Sequence, residues 1–357
     1  MRGRSTIEWM RPLLFVLVGA ALGAAVWFQR ATIGSALAEM RSMSLAVVVA
    51  LVALGVLERV TRAGILRRLL EGASFRQALT IHDVGTAATK GIPLGGPVAT
   101  GLRWSIARDA DLSTPRLASA LVGYGVAATF VTWLLPFGVL LIELTQRSPT
   151  ATDLVMIAVC ALVLGASTLF WAVVLTSDRV TAFLIRHLRR LWTLAGRRIP
   201  AAVGHDPAAG LLEIRASLHG IARRPVRLLA LTAVAHACGA VILLVALRGI
   251  GVGAELGTLE FARVFFVVTL LSSFVPVPGG IGVVEAGLSG ALVAAGVEPT
   301  AALAGVLVYR LLTYVVPIVV GAILYLAWRA DFRRRNRRDE VPVSPVPASP
   351  VPAHSVS

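Results

Sequence analysis

Cysteine is almost missing from this 357-residue sequence: there are two, Cys160 and Cys238, and each lies inside an apolar run. They offer neither a disulfide framework nor a metal-ligand spacing, and small buried thiols are expected instead. Acidic residues are scarce too, 19 against 34 lysines and arginines, which leaves a formal net charge of +15. Charged residues of both signs together make up only 15% of the chain. No nucleotide-binding loop, nucleophile elbow or CxxC is present, which speaks against ATP-driven pumping and against most enzyme chemistry. The chain is therefore not expected to be an enzyme or to need a cofactor or metal.

What remains is apolar. Hydrophobic residues make up 57% of the sequence and the mean hydropathy is +0.80, far beyond a soluble domain. The expected class is an all-α polytopic integral membrane protein. The positive charge is almost entirely arginine and gathers in the connections between apolar runs. That is the pattern of cytoplasmic loops rather than of a nucleic-acid surface.

A span needs about 20 apolar residues. Residues 117–142, 154–175, 228–247 and 301–328 meet this cleanly, whereas 13–28 and 45–57 are shorter and need their flanks. The run 13–28 is read as a retained helix rather than a cleaved signal, because it lacks a small-residue cleavage site and further spans follow. The run 45–57 is expected to continue through Glu58 and Arg59 to the cytoplasmic interface. The arginine-rich segments 59–76 and 179–227 are assigned inside, and the charge-poor turns near Arg147 and Arg248 outside. Both termini are then cytoplasmic, in a cell membrane. The expected organisation is a short amino terminus (1–12), a transmembrane domain (13–328) with a cytoplasmic connection (176–227), and a tail (329–357). That tail is basic, then proline-rich and extended. In the connection, Val180, Phe183, Leu184, His187, Leu188, Leu191 and Ala195 fall at helical spacing with arginines between them, which predicts a helix lying on the membrane surface.

Two regions break the simple pattern and resemble each other. One passes Lys90, Gly95-Gly96 and Pro115 before a span containing Tyr124; the other passes Gly279-Gly280 and Pro299 before a span containing Tyr309. The glycine pairs and prolines match at one constant offset. By charge, the first broken segment enters and leaves from inside and the second from outside. About six full spans plus two broken or re-entrant hairpins, related as inverted repeats around a midplane site, is the architecture this suggests. Two short full spans, 261–275 and 281–295, joined by a Pro-Gly turn fit the charge pattern equally well.

An acidic residue beside helix breakers in an apolar region marks a functional site. Glu285 is that residue, and Arg310, within the last span, is its natural partner. Gly279, Gly280 and Gly282 would let a phosphate reach unpaired N–H groups at the start of a helix. In the first broken segment Lys90 and Arg103 set cations beside Gly95 and Gly96, as ligands or as ordinary interface anchors. His82-Asp83 and His236 are further polar groups near or within the spans. For His236, satisfaction by a neighbour is expected rather than proton chemistry.

The run Pro278-Gly279-Gly280-Ile281-Gly282-Val283-Val284-Glu285-Ala286, followed by Gly296-Val297 and Tyr309-Arg310, resembles the transmembrane domain of lysylphosphatidylglycerol synthases, a flippase-like family. The segment around Gly95 to Arg103 looks like the family's first-half counterpart. The resemblance implies movement of a phospholipid, aminoacylated or otherwise modified, or of a related lipid, between leaflets. Only about thirty residues follow the last span here, so lipid aminoacylation by this chain is not expected. Membrane phospholipids or glycolipids are the expected ligands. The competing reading is a noncatalytic partner of a separate lipid synthase or glycosyltransferase.

Overall fold

The computed structural model describes residues 30–92, 95–196, 225–253, 256–275 and 278–339, with 212, 215–216 and 219 in between. The run 13–28 and the proline-rich end of the tail lie outside the described residues. The helices are α1 (Arg30–Ser42), α2 (Leu45–Leu69), α3 (Phe75–Gly91), α4 (Gly95–Asp109), α5 (Thr114–Glu143), α6 (Ala151–Thr176), α7 (Asp178–Gly196), α8 (Pro225–Ile250), α9 (Thr258–Ser272), α10 (Val283–Ala294), α11 (Pro299–Arg310) and α12 (Val316–Asp339). A 3-10 turn, Pro278–Gly280, precedes α10, and a π-helical turn, Leu311–Val315, joins α11 to α12. Among the described residues there is no strand.

Among the described residues four helices are long and apolar enough to cross a membrane: α5, α6, α8 and the continuous Pro299–Arg334. They coincide with the four clean spans of the sequence. On α6, Leu162 and Leu169 are 71% and 65% exposed; an apolar face of this kind belongs against lipid. The protein is a multi-pass membrane protein. Helix α2 carries straight through Glu58 and Arg59 to Leu69, and α12 continues through the arginine run to Asp339. Arginine is a good helix former, and no breaker occurs between Gly321 and Pro342. The amphipathic stretch of the connection is the helix α7.

Local signals set the helix starts. Ser74 and Gln77 form a capping box at α3, as do Thr150 and Asp153 at α6. Glu298 accepts the backbone N–H groups of Thr300 and Ala301 at the start of α11, and these bonds hold its carboxyl below the usual glutamate range. Packing inside the bundle uses small residues. A Cβ at Gly321 of α12 would lie 2.3 Å from the Asp83 carbonyl of α3, and one at Gly305 of α11 would lie 2.5 Å from Leu247 of α8.

Both broken segments are helical hairpins. In the first, α3 packs along α4, and a Cβ at Gly85 would meet Arg103. In the second, α9 packs along α10, with Gly287 against Val268. Their arms, 12 to 17 residues long, reach roughly 18–26 Å at 1.5 Å per residue, short of a ~30 Å hydrocarbon core. The hairpins enter the bundle from opposite ends. The base of the first is tied to α12 where Trp328 donates to Asp109. The base of the second is tied to the end of α5 and start of α6, where Arg263 pairs with Glu143 and Arg147 bridges Glu143 and Asp153. Their tips meet at the π turn, about midway between Pro299 and Trp328.

Candidate functional site where the two hairpins meet

The junction follows from two interruptions of helical hydrogen bonding. Pro317 has no N–H to offer Thr313, four residues before it, and its ring crowds that carbonyl. The helix answers with the π turn Leu311–Val315, a feature often found at functional sites. The Thr313 carbonyl so released accepts from Nζ of Lys90, the only lysine in the sequence, at 2.6 Å. At the other interruption α3 ends at Gly91, leaving carbonyls of its last turn without helical partners. The Lys90 carbonyl accepts from the Tyr314 hydroxyl at 2.8 Å. Each break thus supplies the partner the other lacks.

Arg310 organises the tip of the second hairpin. Its Nε donates to Glu285 Oε1 at 2.7 Å and its Nη2 to the Gly279 carbonyl at 2.9 Å, while its guanidinium carbon lies 4.2 Å from the centroid of the Tyr314 ring. Arg310 is 6% exposed. Gly279 has φ +65°, and a Cβ there would lie 2.2 Å from Tyr314, so the turn closes on the ring only without a side chain. Glu285 Oε2 is buried and has no hydrogen-bond partner among the described residues.

Beside the first hairpin lies a second polar group. Arg59 pairs with Asp83, which is 1% exposed, and Asp83 Oδ1 also meets His82 Nδ1 at 3.0 Å. Arg62 bonds Glu58 at 2.9 Å and the Tyr124 hydroxyl at 3.3 Å. The His82 and Tyr124 rings stand edge to face, 6.1 Å apart. Lys90 joins the two groups, within electrostatic range of Glu58, Asp83, Arg62 and Arg310. Five cations, Arg59, Arg62, Lys90, Arg103 and Arg310, therefore share this interior with three carboxylates, Glu58, Asp83 and Glu285, an excess of two positive charges. Charges at such depth normally pair or mark a substrate path.

Over residues 13–321 the sequence matches the family described as Lysylphosphatidylglycerol synthase TM region. The chain belongs to that family. Membership of the lysylphosphatidylglycerol synthase transmembrane family ties this multi-pass protein to lipid metabolism at a membrane. A comparison with curated proteins found no match.

Of the residues singled out in the sequence, the fold unites Glu285, Arg310 and Gly279 in one contact set. Gly280, also with positive φ, sits against Val284, and Gly282 starts α10 with open space around its Cα. Gly95 is pressed on the Ala88 carbonyl, which leaves no room for a Cβ, while Gly96 has open space beside it; both open α4. Arg103 lies across the bare backbone of Gly85 in α3. His236 meets the Thr232 carbonyl one turn back at 2.9 Å. Cys160 and Cys238 are free and buried. Arg59 and Arg62, counted in the sequence among the cytoplasmic-side arginines, turn inward to Asp83 and Tyr124 instead. The π turn and the Lys90 contacts were missed by sequence reasoning, although the spacing of Thr313 and Pro317 and the uniqueness of Lys90 were signals for them.

Proposed function

We propose that this protein translocates a phospholipid or related lipid between leaflets of the cell membrane. The observation that carries the reading is the meeting of two short helical hairpins, entering from opposite ends of the bundle, on buried and half-buried charged side chains midway along α11–α12. Broken helices facing each other near the midplane are how many transporters build a substrate site between inverted repeats. In this reading the two hairpins are such repeats. The headgroup passes between their tips, and the acyl chains stay in lipid along apolar faces such as that of α6. The arginine-rich end of the bundle, with both chain termini, faces the cytoplasm. The reaction is movement rather than bond making, so the charged side chains serve to replace headgroup hydration.

Liposomes containing only this protein and a headgroup-labelled phospholipid test the reading by leaflet-resolved quenching. Accelerated exchange between leaflets, slowed in Glu285→Gln, is expected. Exchange no faster than in protein-free liposomes, with the protein folded and inserted, would defeat it.

A further inference from the structure

Of the two cations in excess, Lys90 is bonded to the Thr313 carbonyl and Arg103 is left. Asp83 is shared by Arg59 and His82, and Glu58 is held by Arg62, so the carboxylates around the first hairpin are taken. Arg103 has none of them. Its Nε is buried without a hydrogen-bond partner, and no ion pair among the described residues includes it. It is held against α3 because Gly85 has no side chain: a Cβ there would lie 2.0 Å from Arg103 Nε and 2.6 Å from Nη2. Arg103 is within electrostatic range of Tyr124 and His82, and Arg62 touches Tyr124 directly. A planar guanidinium with a free donor, within electrostatic range of a phenol hydroxyl that a second guanidinium already contacts, can receive a phosphate oxygen. A phosphodiester carries one negative charge and would leave half the excess standing. A phosphomonoester carries about −1.5 to −2 at pH 7 and would cancel it.

We propose that Arg103, with Tyr124 and the Arg62 bonded to it, forms a binding site for a doubly charged phosphomonoester headgroup where α4 rests on α3 at Gly85. The lipid source of that phosphate rests on the translocation reading above; the phosphate chemistry does not. The site prefers such a headgroup to a phosphodiester and rejects a cationic aminoacylated one, because added positive charge would raise the excess rather than remove it. Gly85 is the positioning residue, since it opens the slot in which Arg103 rests.

Purified full-length protein in nanodiscs of phosphatidylcholine is titrated with phosphatidic acid, phosphatidylglycerol, lysyl-phosphatidylglycerol and inorganic phosphate, and binding is read by native mass spectrometry and thermal shift. Phosphatidic acid should bind about tenfold or more tightly over phosphatidylglycerol, and lysyl-phosphatidylglycerol should be weakest. Arg103→Gln should abolish that preference, while Arg103→Lys should keep part of it. Gly85→Ala provides a second variant that retains every charge and displaces only the flexible end of Arg103; it should also lose the preference with a near-normal melting temperature. Equal binding of phosphatidic acid and phosphatidylglycerol, or an unchanged preference in both Arg103→Gln and Gly85→Ala, overturns the proposal. Protection by inorganic phosphate as strong as by phosphatidic acid keeps the phosphate site but overturns its assignment to a lipid. Leaflet exchange in liposomes is scored separately: Arg103-dependent binding without exchange defeats translocation alone, and exchange with no effect of Arg103→Gln on binding defeats this site alone.

Discussion

Lys90 and Thr313 close the gap between the two halves of the bundle: the ammonium donates to a carbonyl that Pro317 cannot reach, across a 2.6 Å bond. Removing the donor leaves a partly buried carbonyl without a partner. Lys90→Met is expected to destabilise the detergent-solubilised protein by about 1–3 kcal/mol, read by thermal unfolding. Pro317→Ala returns an N–H to the helix at that place. In the Pro317→Ala background the same Lys90→Met change should cost measurably less, and an equal cost in both backgrounds would separate Lys90 from the proline break.

Glu285 and Arg310 form an ion pair in which the arginine is buried and the glutamate half-buried, and removing one partner strands the other. Glu285→Gln and Arg310→Gln should each lower stability by about 3–5 kcal/mol and reduce leaflet exchange. The double variant should lose clearly less than the two losses combined, by about 1 kcal/mol or more. Simple additivity in a thermodynamic cycle would show that the contact carries no coupling.

Gly279 and Gly282 both have positive φ, +65° and +79°, yet only Gly279 has an aromatic ring where a Cβ would go. Gly282→Ala should cost roughly 1–2 kcal/mol from backbone strain alone. Gly279→Ala adds the clash with Tyr314 and should cost a further 1–3 kcal/mol or so. Equal melting temperatures for the two variants would argue that the turn can retreat from the ring.

Orientation is open to direct labelling, since the two native cysteines are buried and replaceable. In a cysteine-free background, single cysteines near Arg147 and near Pro299 should react with an impermeant thiol reagent added to intact cells. One near Arg215, which holds the end of α6 through the Leu175 carbonyl and Asp178, should not. Labelling near Arg215 from outside would invert the assignment.

Composition and periodicity determined much of this protein. Runs of about 20 apolar residues must be helices in lipid, because only a helix satisfies its own backbone there, and α5, α6, α8 and α11–α12 appear where those runs lie. The Pro-Gly-Gly turn and the lone Glu285 likewise pointed to a break with a cation nearby, and Arg310 was the cation available. Tertiary structure decided what local signals cannot carry. Helical spacing says which residues share a face, not which distant helix that face meets, so Lys90 reaching Thr313, Arg59 turning inward to Asp83 and Arg103 resting on Gly85 were not legible. The first and the last depend on a missing group, an N–H at Pro317 and a side chain at Gly85, whose consequence appears only when another helix arrives to fill the space.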